Sequence, residues 1–215
     1  GLHEWWLHEW LRSQAAAELM VSDEGETFEL QAEAAMVLAR KGTPTYAGGV
    51  FSHLRNPKVA DGLAEAFQTG LGLTYDGQGE GSEQHVEAML APMARALLVP
   101  RVIPALDGVA DRLVAGAKVV DVGCGTGLAL ELMAAAWPDC TFEGYDVSER
   151  AVSVARDRFD GVDNVTIHLA GGEDVPPTAD VDLMMTLDCL HDMPRPDLAM
   201  GAIRAAISED GTWLV

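Results

Sequence analysis

Asp121, Asp146 and the glycines between them are the residues whose types and spacing could do chemistry. Residues 118–127 read Lys-Val-Val-Asp-Val-Gly-Cys-Gly-Thr-Gly. An apolar run broken only by Asp121 predicts a buried strand. Gly123, Gly125 and Gly127 follow at alternate positions, and residues 128–137 then read as a helix. A strand that turns through glycines into a helix brings backbone N–H groups close to whatever sits above the strand's end, where open α/β sheets take nucleotide-like ligands. Dinucleotide folds carry G-x-G-x-x-G and aim the helix N-terminus at a pyrophosphate. Here the spacing is G-x-G-x-G, and the Asp121 carboxylate would repel a pyrophosphate but favour an ammonium or sulfonium. Asp146 closes a second strand-like run, Thr-Phe-Glu-Gly-Tyr-Asp, and its carboxylate is placed for ribose hydroxyls.

Strand, glycine loop, helix, strand and acid in this order resemble the class I S-adenosylmethionine-dependent methyltransferases, in particular the bacterial type with an N-terminal winged-helix-like domain. The resemblance makes the glycine loop their motif I and Tyr145-Asp146 their ribose-binding acid, with S-adenosylmethionine as cofactor. It implies that Asp121, Gly123, Cys124, Gly125 and Gly127 surround the methionyl part. Asp121 would act on the amino group directly or through water, with Cys124 as a small filler. Asp146 would take both ribose hydroxyls and Val147 would pack the adenine. Residues 170–176, Ala-Gly-Gly-Glu-Asp-Val-Pro, depart from the pattern. The family's adenine-facing acid falls on Gly171, leaving either the backbone of Gly171 and Gly172, or Glu173 or Asp174, to read the adenine. The D-x-L-H-D segment beginning at Asp188 is implied beside the cofactor, facing the methyl group. His191 is the candidate general base, since its unperturbed pKa lies near neutrality, and Asp192 could orient it. The alternative is a histidine that caps a loop or packs under the cofactor. Tyr75 and His85 are candidate substrate-pocket residues. His3 and His8 fall on the terminal helix, His53 in the helical region and His168 in the third strand of the α/β part.

Positioning these residues requires a Rossmann-like, doubly wound α/β domain with a mainly parallel sheet. Strands are expected at 118–122, 141–146, 165–169, 181–187 and 212–215, and helices at 127–137, 148–159 and 196–208. Ser148 should cap the second of these helices, and Asp210-Gly211 should turn into the last strand. Residues 1–48 read as helix, hairpin and helix, a partial winged helix, with helical patterns over 2–19 and 31–40. Residues 49–115 form a mostly helical linker and substrate-lid region, with amphipathic runs at 59–69 and 83–98. Between them, residues 70–81 are too glycine-rich to be regular, and form either a segment over the active site or a flexible linker. Residues 116–215 form the cofactor-binding domain, whose expected C-terminal strands are missing. The chain begins without Met and stops inside an expected strand, so it reads as a piece of a longer one.

Charge narrows the partners. The 215 residues carry 14 Lys and Arg against 34 Asp and Glu, a formal net charge of −20. Such a surface repels nucleic acids and anionic lipid. Residues 1–45 hold only Arg12, Arg40 and Lys41 as bases, so the N-terminal module reads as a dimerisation element through its tryptophan-rich helix rather than a DNA reader. Cys124, Cys140 and Cys189 fit neither a zinc site nor a disulfide framework, which points to reduced thiols in the cytoplasm and no metal. No apolar run reaches the roughly 18 residues of a membrane span. The resemblance implies in-line transfer of a methyl group to an O or N atom of a small-molecule acceptor by a homodimeric enzyme of this class. Two other readings stay open. An NAD-dependent oxidoreductase shares the fold and the ribose acid but predicts G-x-G-x-x-G and no Asp121. A non-catalytic, transcriptional-regulator-like protein would keep cofactor binding and lose turnover.

Overall fold

The computed structural model describes residues 3–51, 57–70 and 72–215. A five-stranded parallel sheet is built from β3 (Lys118–Val122), β4 (Thr141–Asp146), β5 (Val165–Leu169), β6 (Val181–Met185) and β7 (Ile207–Leu214), in the order β5-β4-β3-β6-β7. The chain winds outward from β3 through β4 to β5, then returns to β6 on the other side of β3. That reversal opens a crevice at the carboxyl ends of the strands. Val119 and Val120 face opposite sides of β3 and are both buried, as a sheet covered on two faces requires.

One face packs on α5 (Val109–Val114), α6 (Leu128–Ala136) and α7 (Glu149–Arg158), which contribute Leu113, Leu130, Met133, Val152 and Ala155 to a core with Val119, Phe142 and Leu183. Fully burying a side chain such as Leu130 stabilises by roughly 1.5–3 kcal/mol. The other face packs on α8 (Pro196–Ala206), whose Ile203 and Ala206 meet Val120, Val122 and Met184. The Ser148 hydroxyl accepts the Ala151 N–H at 3.1 Å and caps α7, as its sequence predicts.

Several boundaries differ from the sequence expectation. β6 ends at Met185, and α8 stops at Ala206 because Ile207 already pairs with Val181. The next ladder partners are Leu183 and Thr212, so Asp210-Gly211 lies in an irregularity inside β7 rather than in a turn before it.

Upstream of the sheet come α1 (Glu4–Ala16), the antiparallel hairpin β1 (Val21–Asp23) and β2 (Thr27–Glu29), α2 (Ala32–Leu38), α3 (Pro57–Thr69) and α4 (Ser82–Leu97). His8 holds α1 to the hairpin, with its ring 5.6 Å from that of Phe28 and Nε2 2.8 Å from the Gly25 carbonyl. Among the described residues no helix is long and apolar enough to cross a membrane.

Candidate active site

The glycine loop is tied to the end of β4. The N–H groups of Gly123 and Cys124 both donate to the Tyr145 carbonyl, at 2.7 and 3.1 Å. The Asp146 carboxylate then takes one N–H on each oxygen, from Gly125 and from Ser148, both at 2.8 Å. Lone pairs remain on both oxygens for a ligand's hydroxyls. The three loop glycines adopt φ of +75°, +55° and +83°, conformations that cost an L side chain. A Cβ on Gly123 would stand 2.5 Å from the Cys189 Cβ, and one on Gly127 would stand 2.7 Å from the Phe159 ring. These two glycines are thus required by the protein's own packing. Only Gly125 opens on empty space, with nothing within 4 Å of a built Cβ.

Asp121 sits on β3 at 2% exposure, and its Oδ1 has no hydrogen-bond partner. Burial, reinforced by the neighbouring Asp146 charge, pushes its pKa up to about 8. A buried polar atom without a partner is rare and calls for a ligand or water. Cys124 is a core residue. Its sulfur lies against Gly144, and burial drives the thiol pKa well up, which leaves it an inert filler. Val147 is 66% exposed beside Asp146, open for a flat ligand to cover.

After β5, the Asp174 carboxylate accepts the Gly171 N–H at 3.0 Å through one of its oxygens. Gly172 is buried, and a Cβ there would meet Val122 at 2.8 Å. Glu173 folds back so that its Oε2 is 2.5 Å from where a Gly171 Cβ would lie. Its carboxylate therefore covers the position at which the resemblance sought an acid.

The segment after β6 holds Asp188, in the left-handed region at φ +55°, and then His191 and Asp192. The His191 side chain is 63% exposed. Its Nδ1 stands 3.9 Å from Asp188 and its Nε2 3.6 Å from Asp192, both beyond hydrogen-bond range. Asp192 is instead held by Tyr75, whose hydroxyl donates to Oδ2 at 2.5 Å. Burial, with the Asp192 carboxylate beside it, raises the Tyr75 pKa. Tyr75 thus reaches the strand ends from the glycine-rich segment. His85 lies on α4, half-buried. His168 stacks on Tyr145 at 4.5 Å and faces Glu143 at 3.3 Å, within the sheet's second face. Leu2 and His53 fall outside the described residues.

Sequence reasoning missed several participants. Asp76 accepts the Ser148 hydroxyl and the Glu149 N–H, at 2.7 and 3.1 Å. Glu87 on α4 accepts the Thr126 hydroxyl at 2.5 Å and the Arg158 guanidinium at 2.8 Å. Cys189 donates to the Val122 carbonyl at 3.0 Å while filling the space that Gly123 leaves. The Gly-Thr-Gly loop hinted at Thr126, but no local pattern marks an acid whose partner lies dozens of residues away.

Residues 119–211 match a family model described as a methyltransferase domain. Nearly the whole chain also superposes on solved structures. The mitomycin 7-O-methyltransferase MmcR aligns with a TM-score of 0.67 at 19% identity, over 99% of this chain and 66% of that one. Human N-acetylserotonin methyltransferase, solved with its cofactor, aligns with a TM-score of 0.62 at 17% identity, over 94% of this chain and 62% of that one. The fold is that of the class I methyltransferases. Among curated proteins, the trans-aconitate 2-methyltransferase of Mycolicibacterium gilvum is 34% identical over 101 residues, 45% of this chain and 36% of that protein. The ubiquinone biosynthesis O-methyltransferase of Thiobacillus denitrificans is 33% identical over 103 residues, 46% of this chain and 43% of that protein. The matched stretch thus spans well under half the length of either curated relative.

Proposed function

We propose that the protein is an S-adenosylmethionine-dependent methyltransferase acting on an O or N atom of a small-molecule acceptor. The observation that carries this reading is the unpartnered buried carboxylate of Asp121 beside Asp146, under a glycine loop that leaves open space at Gly125. The donor set fits the cofactor. Asp121 would meet its ammonium, the free lone pairs of Asp146 its ribose hydroxyls, Val147 one face of the adenine, and Glu173 or the backbone at Gly172 the adenine edge. Gly123, Gly127 and Cys124 would shape the pocket from beneath, and Asp188 would border the methionyl end. When bound, the cofactor supplies an electrophilic methyl group on a sulfonium.

The chain's own residues would then orient the acceptor and keep water out, the main sources of acceleration in such a transfer. His191 would take the proton of a hydroxyl acceptor, standing between Asp188 and Asp192. An amine acceptor would need only to arrive unprotonated. Tyr75 and His85 would border the acceptor space. The dinucleotide alternative is disfavoured because the loop spacing is G-x-G-x-G rather than G-x-G-x-x-G.

Calorimetric titration tests the reading, with S-adenosylmethionine as ligand, NAD as control and Asp146→Ala as the negative. Micromolar binding of the first ligand alone, lost in the variant, is expected. Binding of NAD instead would overturn it.

The layout we propose is a partial winged-helix and dimerisation module at 1–48, a helical lid region at 49–115 and the cofactor domain at 116–215. The protein would work as a cytoplasmic homodimer. The dimer is supported by α1, which buries none of its residues and exposes Trp5, Trp6 and Trp10 by 62%, 71% and 56%.

A further inference from the structure

Resting on the cofactor reading above, we infer that Asp76 and Glu87 are positioning residues of the cofactor pocket, which makes the helical region part of that pocket's frame rather than only its cover. The two acids close a hydrogen-bonded circuit around the site. Ser148 donates its hydroxyl to Asp76 at 2.7 Å and its N–H to Asp146 at 2.8 Å. The other oxygen of Asp146 takes the Gly125 N–H at 2.8 Å. The next residue, Thr126, donates its hydroxyl to Glu87 at 2.5 Å. The covalent chain from 76 to 87 completes the ring.

Each end of the ring is braced by an arginine. Arg158 on α7 donates to both oxygens of Glu87 at 2.8 Å. Arg150 donates to the Asp76 carbonyl, and its Nε lies 3.7 Å from the Asp76 carboxylate and 3.6 Å from Glu83. Glu87 and Arg158 are each only 18% exposed and Thr126 only 6%, so these bonds form where water competes weakly. A buried pair of this kind adds little net stability, because desolvation offsets much of its attraction. Its geometric effect is larger. The loop that offers the Gly125 N–H and the turn that offers the Ser148 N–H meet on Asp146, and the helical region grips each of them by one carboxylate. Losing either grip leaves Asp146 shared between two loops free to separate.

The test uses the full chain and the variants Glu87→Ala, Glu87→Gln, Asp76→Ala and Asp76→Asn. Amide hydrogen exchange at Gly125 and Ser148 is followed in the ligand-free protein, and the Kd for S-adenosylmethionine is measured by calorimetry. Either alanine variant should speed exchange at both amides and weaken the Kd roughly tenfold, the scale of one lost charge-assisted hydrogen bond. The amide variants keep an acceptor oxygen and should recover part of both effects. The double alanine variant should lose less than the product of the single losses, because one broken ring cannot break twice. The inference is overturned if Glu87→Ala leaves Ser148 exchange unchanged, or if Val120 in the sheet loosens as much as the two loop amides. If the parent chain binds no S-adenosylmethionine, the cofactor reading fails, and the exchange data alone still decide the circuit.

Discussion

A carboxyl at 2% exposure with one unpartnered oxygen and a pKa near 8 retains its proton through neutral pH. In the unfolded chain the same group ionises near the ordinary aspartate value of about 4. Between these limits the native state binds one proton more than the unfolded state, so Asp121 lowers stability as pH rises, by up to about 1.4 kcal/mol per pH unit, and levels off above about pH 8. Chemical denaturation of the parent chain and Asp121→Asn from pH 5 to 9 should show the variant gaining relative stability up to about pH 8; parallel curves would sink the idea. A cationic ligand prefers the ionised form, so cofactor affinity should rise toward pH 8 in the parent only. Asp121 and Asp146 were legible in the sequence because each stands a fixed step from its strand end and loop. Asp76 and Glu87 were not, because the Asp76–Ser148 and Glu87–Thr126 pairs exist only once α4 and the turn before it lie against the glycine loop and the start of α7. The glycines were legible as a motif but not for their cause, since the Cys189 and Phe159 contacts come from distant elements.

Among the elements, α1 and β7 show the two ways in which a local pattern falls short. The tryptophans of α1 repeat at helical spacing, and a helix forms there, but none of them is buried within the chain. An amphipathic helix whose apolar face stays open needs a partner of its own. Replacing Trp6 and Trp10 with Glu should leave far-UV circular dichroism unchanged and shift the mass in light scattering from two chains to one; a parent chain that is already a single-chain species would end the dimer proposal. In β7 the opposite happens. Asp210-Gly211 is a strong turn signal, yet pairing with β6 draws Ile207 into the sheet and leaves the glycine inside the strand, where a Cβ would come 2.6 Å from the Val181 carbonyl. Tertiary pairing overrode the local turn preference, whereas β3, β4 and β5 ended where their patterns predict because no such competition arises there.

At the scale of the whole molecule, part of the net charge of −20 sits on carboxylates at the crevice. Asp146, Asp188 and Asp192 all act on the Tyr75 hydroxyl, and together with Asp121 they help to hold the Cys189 thiol at about 12, after burial as the main cause. Asp121 would be matched by the cofactor's ammonium and Asp146 by its ribose hydroxyls, which leaves Asp188 and Asp192 facing an acceptor with His191 between them. A polyanion such as trans-aconitate, named as the substrate of a relative, would have to approach this rim against repulsion, while a neutral phenol or quinol would not. The expected result is a kcat/KM for a neutral hydroxyl acceptor that hardly changes between 20 and 300 mM salt, where the Debye length shrinks from about 20 Å to about 6 Å. For a tricarboxylate, kcat/KM should be at least tenfold lower at 20 mM and should rise with salt as the rim is screened. Preference for the tricarboxylate, with rates falling as salt is added, would mean that a cationic side chain recognises the acceptor, and the electrostatic assignment of the acceptor class would have to be abandoned.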